Sequence, residues 1–257
     1  MSDLTAGTPD SPFDAPLTNP EALPQRSRPR DRVLAVLEVV LCSGFPTQIG
    51  LIYVMTTLGF IQTERGLSIE FVAPLLLLDA AIVIVLVLWL MRLHGESVRH
   101  VFLGQRPISK EAFLGLLLTF VVFGIVIVVL TLVQRFAPWL HNVPINPLEG
   151  LIRTARDAVV FAVVATLAGG LREEMQRAFV LRRFERHLGG ARVGLVIFSV
   201  MFGAGHALQG WDAAITTGVL GAFWGAVYLR RGSIVAPVVS HSVFNAAEIV
   251  RFAVWGA

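Results

Sequence analysis

The sequence predicts an all-α protein that is embedded in a membrane, a polytopic helical bundle of seven or eight transmembrane helices. Of its 257 residues, 55% are hydrophobic and only 15% are charged, and the mean hydropathy is +0.71. Soluble domains usually carry about 25% charged residues, and a water-soluble globule of this length could not bury so much apolar surface. The 21 basic and 18 acidic residues nearly balance, which excludes a nucleic-acid partner. The single cysteine, Cys42, excludes an intramolecular disulfide framework.

The first 32 residues differ in composition from the rest of the chain. They hold six of its 13 prolines among Asp, Ser, Thr and Arg, which predicts a disordered, Pro-rich cytoplasmic tail. This stretch lacks the short apolar core and the cleavage site of a secretory signal, so we expect it to be retained. The chain is therefore divided into this tail, 1–32, and a transmembrane helical domain, 33–257.

Seven apolar stretches are candidate membrane spans, because roughly 20 helical residues cross about 30 Å of hydrocarbon. They are residues 33–60, 71–91, 112–134, 152–186, 193–209, 211–229 and 234–254. The first is interrupted at Gly44-Phe45-Pro46, and if it is two pieces the bundle has eight segments. The fourth ends in the arginine-rich sequence 182–186, so we expect its last turns to emerge into water.

Basic residues lie mainly on alternate connections between these spans. They cluster in the tail and at 92–110, 182–192 and 230–231, and such clusters mark the cytoplasmic side of a membrane protein. Arg153 and Arg156, at the outer start of the fourth span, are the exception. The pattern predicts a cytoplasmic N-terminus and a C-terminus on the outer side.

Polar residues recur inside three spans of the second half of the chain. The fourth span carries Glu173, Glu174 and Arg177, the fifth carries Phe202 and His206, and the seventh carries His241 and Asn245. Residues four apart share a helix face, so Glu173 can pair with Arg177, and His241 lies on the same face as Asn245. Ionisable groups are costly in hydrocarbon, and their joint occurrence indicates a functional site.

These polar groups also lie at similar depths. Counted from the cytoplasmic ends of their spans at about 1.5 Å per residue, they fall roughly 10–20 Å below the surface, so they can meet in one pocket. A desolvated carboxylate there could take a proton from water and pass it to a leaving amine. The two histidines could bind a divalent metal or orient the water, and Asn245 supplies a neutral donor. No serine or cysteine nucleophile pattern competes with this interpretation.

The three groups resemble the motifs of the CAAX-processing and bacteriocin-processing (CPBP) intramembrane proteases. That family includes the Ras-converting endoprotease and the lysostaphin resistance protein A-like proteins, and its motifs are Glu-Glu-x-x-x-Arg, Phe-x-x-x-His and His-x-x-x-Asn on separate membrane helices. Here the stretch from Phe202 to His206 matches the second motif, and the stretch from His241 to Asn245 matches the third. The resemblance covers roughly residues 150–250 and implies a catalytic core there.

The first motif departs from the family pattern, because two residues rather than three separate Glu174 from Arg177. Aligning Arg177 with the arginine of the family places Arg172 at the first glutamate and Glu173 at the second. Aligning the glutamate pair instead leaves Ala178 at the arginine. A local π-bulge could reconcile the two registers.

Glu173 is the favoured catalytic carboxylate, and Glu174 is the alternative. Adjacent helix positions point about 100° apart, so the two cannot face one partner equally. Glu173 shares a face with Arg177 and with Gly169 and Gly170, where another helix could approach closely.

The resemblance implies an intramembrane endopeptidase, a hydrolase of the CAAX prenyl protease-like class. Its implied site residues are Glu173 or Glu174 as general base, His206 and His241 to position the water or a metal, Asn245 to stabilise the oxyanion, and Arg177 and Phe202 in support. Two histidines and a glutamate suit zinc, so His206, His241 and Glu173 would be the ligands of a metalloprotease. A metal-free water activated by glutamate would use the same residues, and the sequence leaves the cofactor open.

The implied substrate is a peptide or a membrane-protein segment within the lipid bilayer. Prenylated CAAX substrates are expected only in eukaryotes. The high Ala, Val, Arg and Gly content favours a bacterial source, which would place the protein in an inner or plasma membrane as a multi-pass protein. The sequence does not indicate an oligomeric state.

Two other functions stay open. The altered first motif would also suit a non-catalytic CPBP-like membrane partner or regulator, and the polar pocket would also suit the proton relay of a small proton-coupled transporter. A carboxyl of Glu173 or Glu174 within one water's reach of both histidines would favour hydrolysis. Both carboxylates pointing to lipid headgroups, or both locked on Arg172 and Arg177, would contradict it.

Overall fold

The computed structural model describes residues 28–60, 68–144 and 146–256, and every regular element in these residues is helical. The α-helices are α1 Pro29–Leu41, α2 Phe45–Thr57, α3 Ile69–Leu93, α4 Val98–Phe102, α5 Ile108–Phe136, α6 Ala155–Val164, α7 Glu173–His187, α8 Ala191–Ala204, α9 Trp211–Arg231 and α10 Val235–Trp255. A π-helical segment, Ala165–Arg172, joins α6 to α7. The predicted all-α class is confirmed. Most of the predicted tail, residues 1–27, lies outside the described residues.

The first predicted span is a bent pair of helices, α1 and α2. The sequence predicted the interruption at Gly44-Phe45-Pro46, and the two helices are bent there by 42°. Gly44 has a φ of +86°, a left-handed conformation that glycine adopts without steric cost. Pro46 lies in the first turn of α2, where its missing N–H is not needed. The helix α1 begins at Pro29, earlier than the predicted start at residue 33.

Three of the described helices, α3, α5 and α9, are long and apolar enough to cross a membrane. The bent pair makes a fourth if it is one span. By the same measure α8, with 14 residues, and α7, with 15, are too short. The membrane character is therefore supported, while a count of seven or eight crossings stays a prediction.

The interior of the bundle around α7 holds both apolar and charged side chains. All residues from Glu174 to Phe184 are buried, and α7 packs against α1, α3, α8 and α9. Many large apolar side chains on α1, α2, α5 and α8 are instead exposed. This distribution suits a bundle whose surroundings are lipid, and it brings the charged residues of α7 into contact with the other helices.

Ion pairs hold the C-terminal half of α7 at the end of the bundle where Arg182, Arg183 and Arg186 lie, which we call the arginine-rich end. Arg183 places Nε 2.5 Å from Glu38 Oε2 and Nη1 2.7 Å from Glu96 Oε1. Arg186 Nη1 lies 2.5 Å from the same Glu96 oxygen. These pairs connect α7 to α1 and to the turn after α3.

Candidate active site

The π-helical segment and α10 pack closely because two glycines face α10. A Cβ atom on Gly170 would collide with Ser242 Oγ, and a Cβ on Gly169 would lie 2.7 Å from Asn245 Nδ2. The predicted close approach at these glycines is confirmed, and the partner is α10. The π-helical segment ends directly before Glu173, and the short spacing from Glu174 to Arg177 lies within α7.

Glu174 lies at the centre of the site and is 1% exposed. Its Oε1 accepts a hydrogen bond from His241 Nδ1 at 3.0 Å, and it forms an ion pair with Arg177. The predicted pair of Glu173 with Arg177 is therefore wrong. Helix spacings of three and four both allow pairing, and the more deeply buried carboxylate takes the compensating charge.

Glu173 approaches the same histidine from its other nitrogen. Its Oε2 lies 3.9 Å from His241 Nε2, which is too long for a direct hydrogen bond, and its side chain is 19% exposed. Glu174, ionised in its pair with Arg177, is a hydrogen-bond acceptor and so requires a proton on His241 Nδ1. The other ring nitrogen, Nε2, lies on the side of Glu173.

Aromatic rings enclose His241 and Arg177. The indole of Trp224 stacks on the imidazole of His241, with centroids 3.8 Å apart, and its Nε1 donates a hydrogen bond to Ser240 Oγ at 3.3 Å. The Arg177 guanidinium lies 4.9 Å from the centroid of Phe202 and 5.8 Å from that of Trp224, within the range of cation–π contacts. Sequence reasoning missed Trp224, because a tryptophan within an apolar span has no pattern that distinguishes it from a residue facing lipid.

His206 lies outside α8, in the turn that follows it. Its Nδ1 is 2.9 Å from the carbonyl oxygen of Phe202, and its ring packs edge-on against the Phe202 ring at 5.0 Å. The Phe202 ring also contacts that of His241, at 6.4 Å. Within the part of the chain that the structure describes, no hydrogen bond or ion pair joins His206 to His241 or to either glutamate. The structure thus brings His206 to the edge of the site and not into direct contact with its polar groups.

Asn245 lies one helical turn after His241 on α10, on the predicted shared face. Its Nδ2 donates a long hydrogen bond, 3.5 Å, to the carbonyl oxygen of Ala165. The amide thus faces the π-helical segment, next to Gly169.

Arg172 is paired with a residue outside the site around His241. Its Nη2 lies 2.7 Å from Asp79 Oδ2 on α3, and Asp79 also accepts hydrogen bonds from Thr47 and Gln48 on α2. The residue that one alignment places at the first glutamate of the family motif is therefore paired with α3.

The described residues contain no group of three or more His, Cys, Asp and Glu side chains arranged to hold a metal ion. The ligand set considered from the sequence, His206, His241 and Glu173, is not assembled, since only the last two approach each other. The site as it stands does not fit a three-ligand zinc centre.

Comparison with known protein families gives a match, and it covers the segment that holds the candidate site. A family model described as type II CAAX prenyl endopeptidase, Rce1-like, matches residues 155–247, from the first residue of α6 to just beyond Asn245. This match supports CPBP family membership for the segment. No curated protein and no solved structure gave a significant match. The CPBP segment contains both glutamates, both histidines and the π-helical segment, and its family points to a peptidase.

Proposed function

We propose that this protein is an intramembrane endopeptidase that hydrolyses a peptide bond with a water activated by glutamate. The observation that carries the proposal is the pair of carboxylates on either side of His241, inside a helical bundle whose matched family consists of peptidases. Such a site can take a proton from water and return it to a leaving amine.

Glu173 is the proposed general base. Glu174 is held by Arg177 and by His241 Nδ1, so its charge is already compensated. Glu173 has neither contact and is more exposed, so it can meet a water next to His241 Nε2. Glu174 orients the imidazole, and it is the alternative base.

The remaining residues complete the proposed mechanism. His241 Nε2 holds the water on the side of Glu173, and Asn245 Nδ2 offers a donor to the developing oxyanion. His206 would contact the substrate at the edge of the site. Arg177 supports the site by compensating Glu174, and Phe202 packs between the two histidines.

A non-catalytic CPBP partner is the second candidate, and two observations favour it. Arg172, which one alignment places at the first glutamate, is paired with Asp79, and His206 makes no polar contact with the carboxylates. The arrangement that would contradict hydrolysis requires both carboxylates on the two arginines. Glu174 pairs with Arg177 but also holds His241, and Arg172 pairs with Asp79 instead of a motif glutamate.

The proposed setting is a bacterial plasma membrane with a cytoplasmic N-terminus and seven crossings. α1 and α2 have 13 residues each, and each alone is too short for about 30 Å of hydrocarbon, so the bent pair is counted as one crossing. The arginine-rich end then faces the cytoplasm. The proposed substrate is a peptide or a membrane-protein segment.

The test is a cleavage assay on the full chain purified in detergent, with a mixture of synthetic single-span peptides analysed by mass spectrometry. Wild type is compared with Glu173→Ala, Glu174→Ala and His206→Ala, each with and without a chelator. Glu248→Ala is the matched control, because Glu248 forms only an exposed pair with Arg251. Loss of cleavage in Glu173→Ala supports the proposal. Equal cleavage by all variants contradicts it, and no cleavage by wild type favours the non-catalytic partner.

A further inference from the structure

A cavity of about 350 Å³ opens at the arginine-rich end, separate from the site around His241. It lies where α4, the loop after α4, α7 and the last turn of α9 meet. Its lining residues include Arg106, Arg182, Tyr228 and Arg231. Tyr228 follows Trp224 by four residues on α9. The cavity therefore lies about one helical turn beyond the tryptophan that stacks on His241.

Arg182 is a buried residue that lines this cavity. The residue is 4% exposed, and its guanidinium makes no hydrogen bond to any described residue. Its nearest carboxylate is Glu96, whose Oε1 lies 3.5 Å from Nε. The same oxygen lies closer to Arg183 and Arg186. Glu96 Oε1 is thus shared by three guanidinium groups, and it lies farthest from that of Arg182, so the charge of Arg182 is the least directly compensated of the three.

The other walls are polar and held in place. Arg231 forms a two-point pair with Glu111, whose oxygens both lie 3.2 Å from the Arg231 Nε. The Tyr228 hydroxyl donates to the carbonyl oxygen of Val101 at 3.2 Å. Arg106 is exposed on the loop between α4 and α5. The cavity therefore has a fixed frame and arginines on more than one side.

We propose that this cavity binds a phosphate-bearing anion, with Arg182 as its buried contact. A guanidinium presents a planar set of donors that matches phosphate oxygens, and a buried one without hydrogen bonds is stabilised by such a ligand. The position at one end of the membrane helices suits the headgroup of an anionic phospholipid, and free phosphate offers the same chemistry. The inference goes beyond the proposed hydrolysis, since no step of that reaction uses the cavity.

The experiment is titration calorimetry on the full chain in detergent with three probes. These are dihexanoyl phosphatidylglycerol, dihexanoyl phosphatidylcholine and inorganic phosphate. Arg182→Gln and Arg106→Ala remove one contact each, and Arg106→Ala tests the site even if the buried variant does not fold. Arg92→Ala is the matched control, because Arg92 is exposed in the last turn of α3 and does not line the cavity.

We expect phosphatidylglycerol to bind wild type and Arg92→Ala with the same affinity. Arg182→Gln should raise the Kd for phosphatidylglycerol by about tenfold or more. Arg106→Ala should weaken binding by a smaller factor. Arginine-dependent binding of inorganic phosphate without phosphatidylglycerol binding would support the site and assign it to free phosphate. Binding that is equal in all variants, or absent for every probe, would overturn the proposal.

Discussion

His241 is contacted by both neighbouring glutamates of α7 because its two ring nitrogens point to different sides. Adjacent helix positions point about 100° apart, and for that reason the sequence indicated that the two carboxylates do not face one partner equally. The structure places Glu174 on Nδ1 and Glu173 near Nε2. The two carboxylates therefore have different positions at one imidazole: Glu174 orients the ring through Nδ1, and Glu173 lies near Nε2.

Replacing Arg177 by Gln should strongly destabilise the protein. Arg177 is fully buried and compensates Glu174, and a buried charge that loses its partner costs about 3–5 kcal/mol. The measurement is thermal unfolding of the full chain in detergent. The double variant Arg177→Gln with Glu174→Gln removes both charges and should recover part of the loss. A single variant as stable as wild type would contradict the role given to this pair.

Part of the site was predictable from single residues, and part was not. The motif histidines and glutamates are polar groups in apolar spans, so the cost of burying them marks them in the sequence. The choice of partner was not predictable, because spacings of three and four along a helix both allow a pair with Arg177. Trp224 could not be recognised in this way, since an aromatic side chain can face lipid without the energetic cost of a charged one.

The helices were largely predictable because long apolar stretches and the interruption at Gly44-Phe45-Pro46 are local features. A π-helical segment, Ala165–Arg172, precedes the glutamates, but the interval from Glu174 to Arg177 is α-helical, so it does not reconcile the two registers. The position of His206 was not predictable from helical spacing, since α8 ends at Ala204 and the histidine lies in the following turn. Depth counted along a continuous helix therefore does not apply to it.

Gly170→Ala should separate the π-helical segment from α10 and lower both stability and any cleavage activity. The added Cβ would collide with Ser242 Oγ, and overpacking of this kind costs about 1–3 kcal/mol. Ser242→Gly in the same chain should restore part of the stability.

The matched control for this substitution is Gly124→Ala on α5. A Cβ there meets nothing within 4 Å, so alanine should be neutral or stabilising by up to about 1 kcal/mol. Equal unfolding temperatures for the two alanine variants would show that the close approach to α10 does not matter.

Across the whole bundle, several charged residues are buried beside the apolar core, and the arginine-rich end depends on one of them, Glu96. Burial raises the pKa of Glu96, but the hydrogen bond from Arg183 and the charges of Arg183, Arg186 and Arg182 outweigh it and hold the pKa below its ordinary value of 4.5. The stabilisation is therefore present above that value and is lost as the pH falls through the lowered pKa.

Glu96→Gln should be less stable than wild type at neutral pH, and this difference should shrink as the pH falls below 4.5 and through the lowered pKa of Glu96. Thermal unfolding of both proteins across that range is the measurement. Glu70→Gln serves as the control, since Glu70 is exposed at the start of α3 and should show no such convergence. A difference for Glu96→Gln that does not change with pH would argue against the ionised contact.

Seven crossings predict that the two termini lie on opposite sides of the membrane. Alkaline phosphatase fused after Ala257 should be active, and a fluorescent protein fused after Gly232 should fluoresce in the cytoplasm. An inactive phosphatase at the C-terminus, together with a fluorescent C-terminal fusion, would instead indicate eight segments.

The most direct test of the proposed hydrolysis is the cleavage rate of Glu173→Gln in the full chain, beside wild type and Glu248→Gln. Glutamine keeps the shape of the side chain and cannot take a proton from water, so the rate should fall by about 10²-fold or more while the unfolding temperature stays the same. A Glu173→Gln protein that cleaves within about threefold of wild type would contradict the assignment of Glu173 as the base.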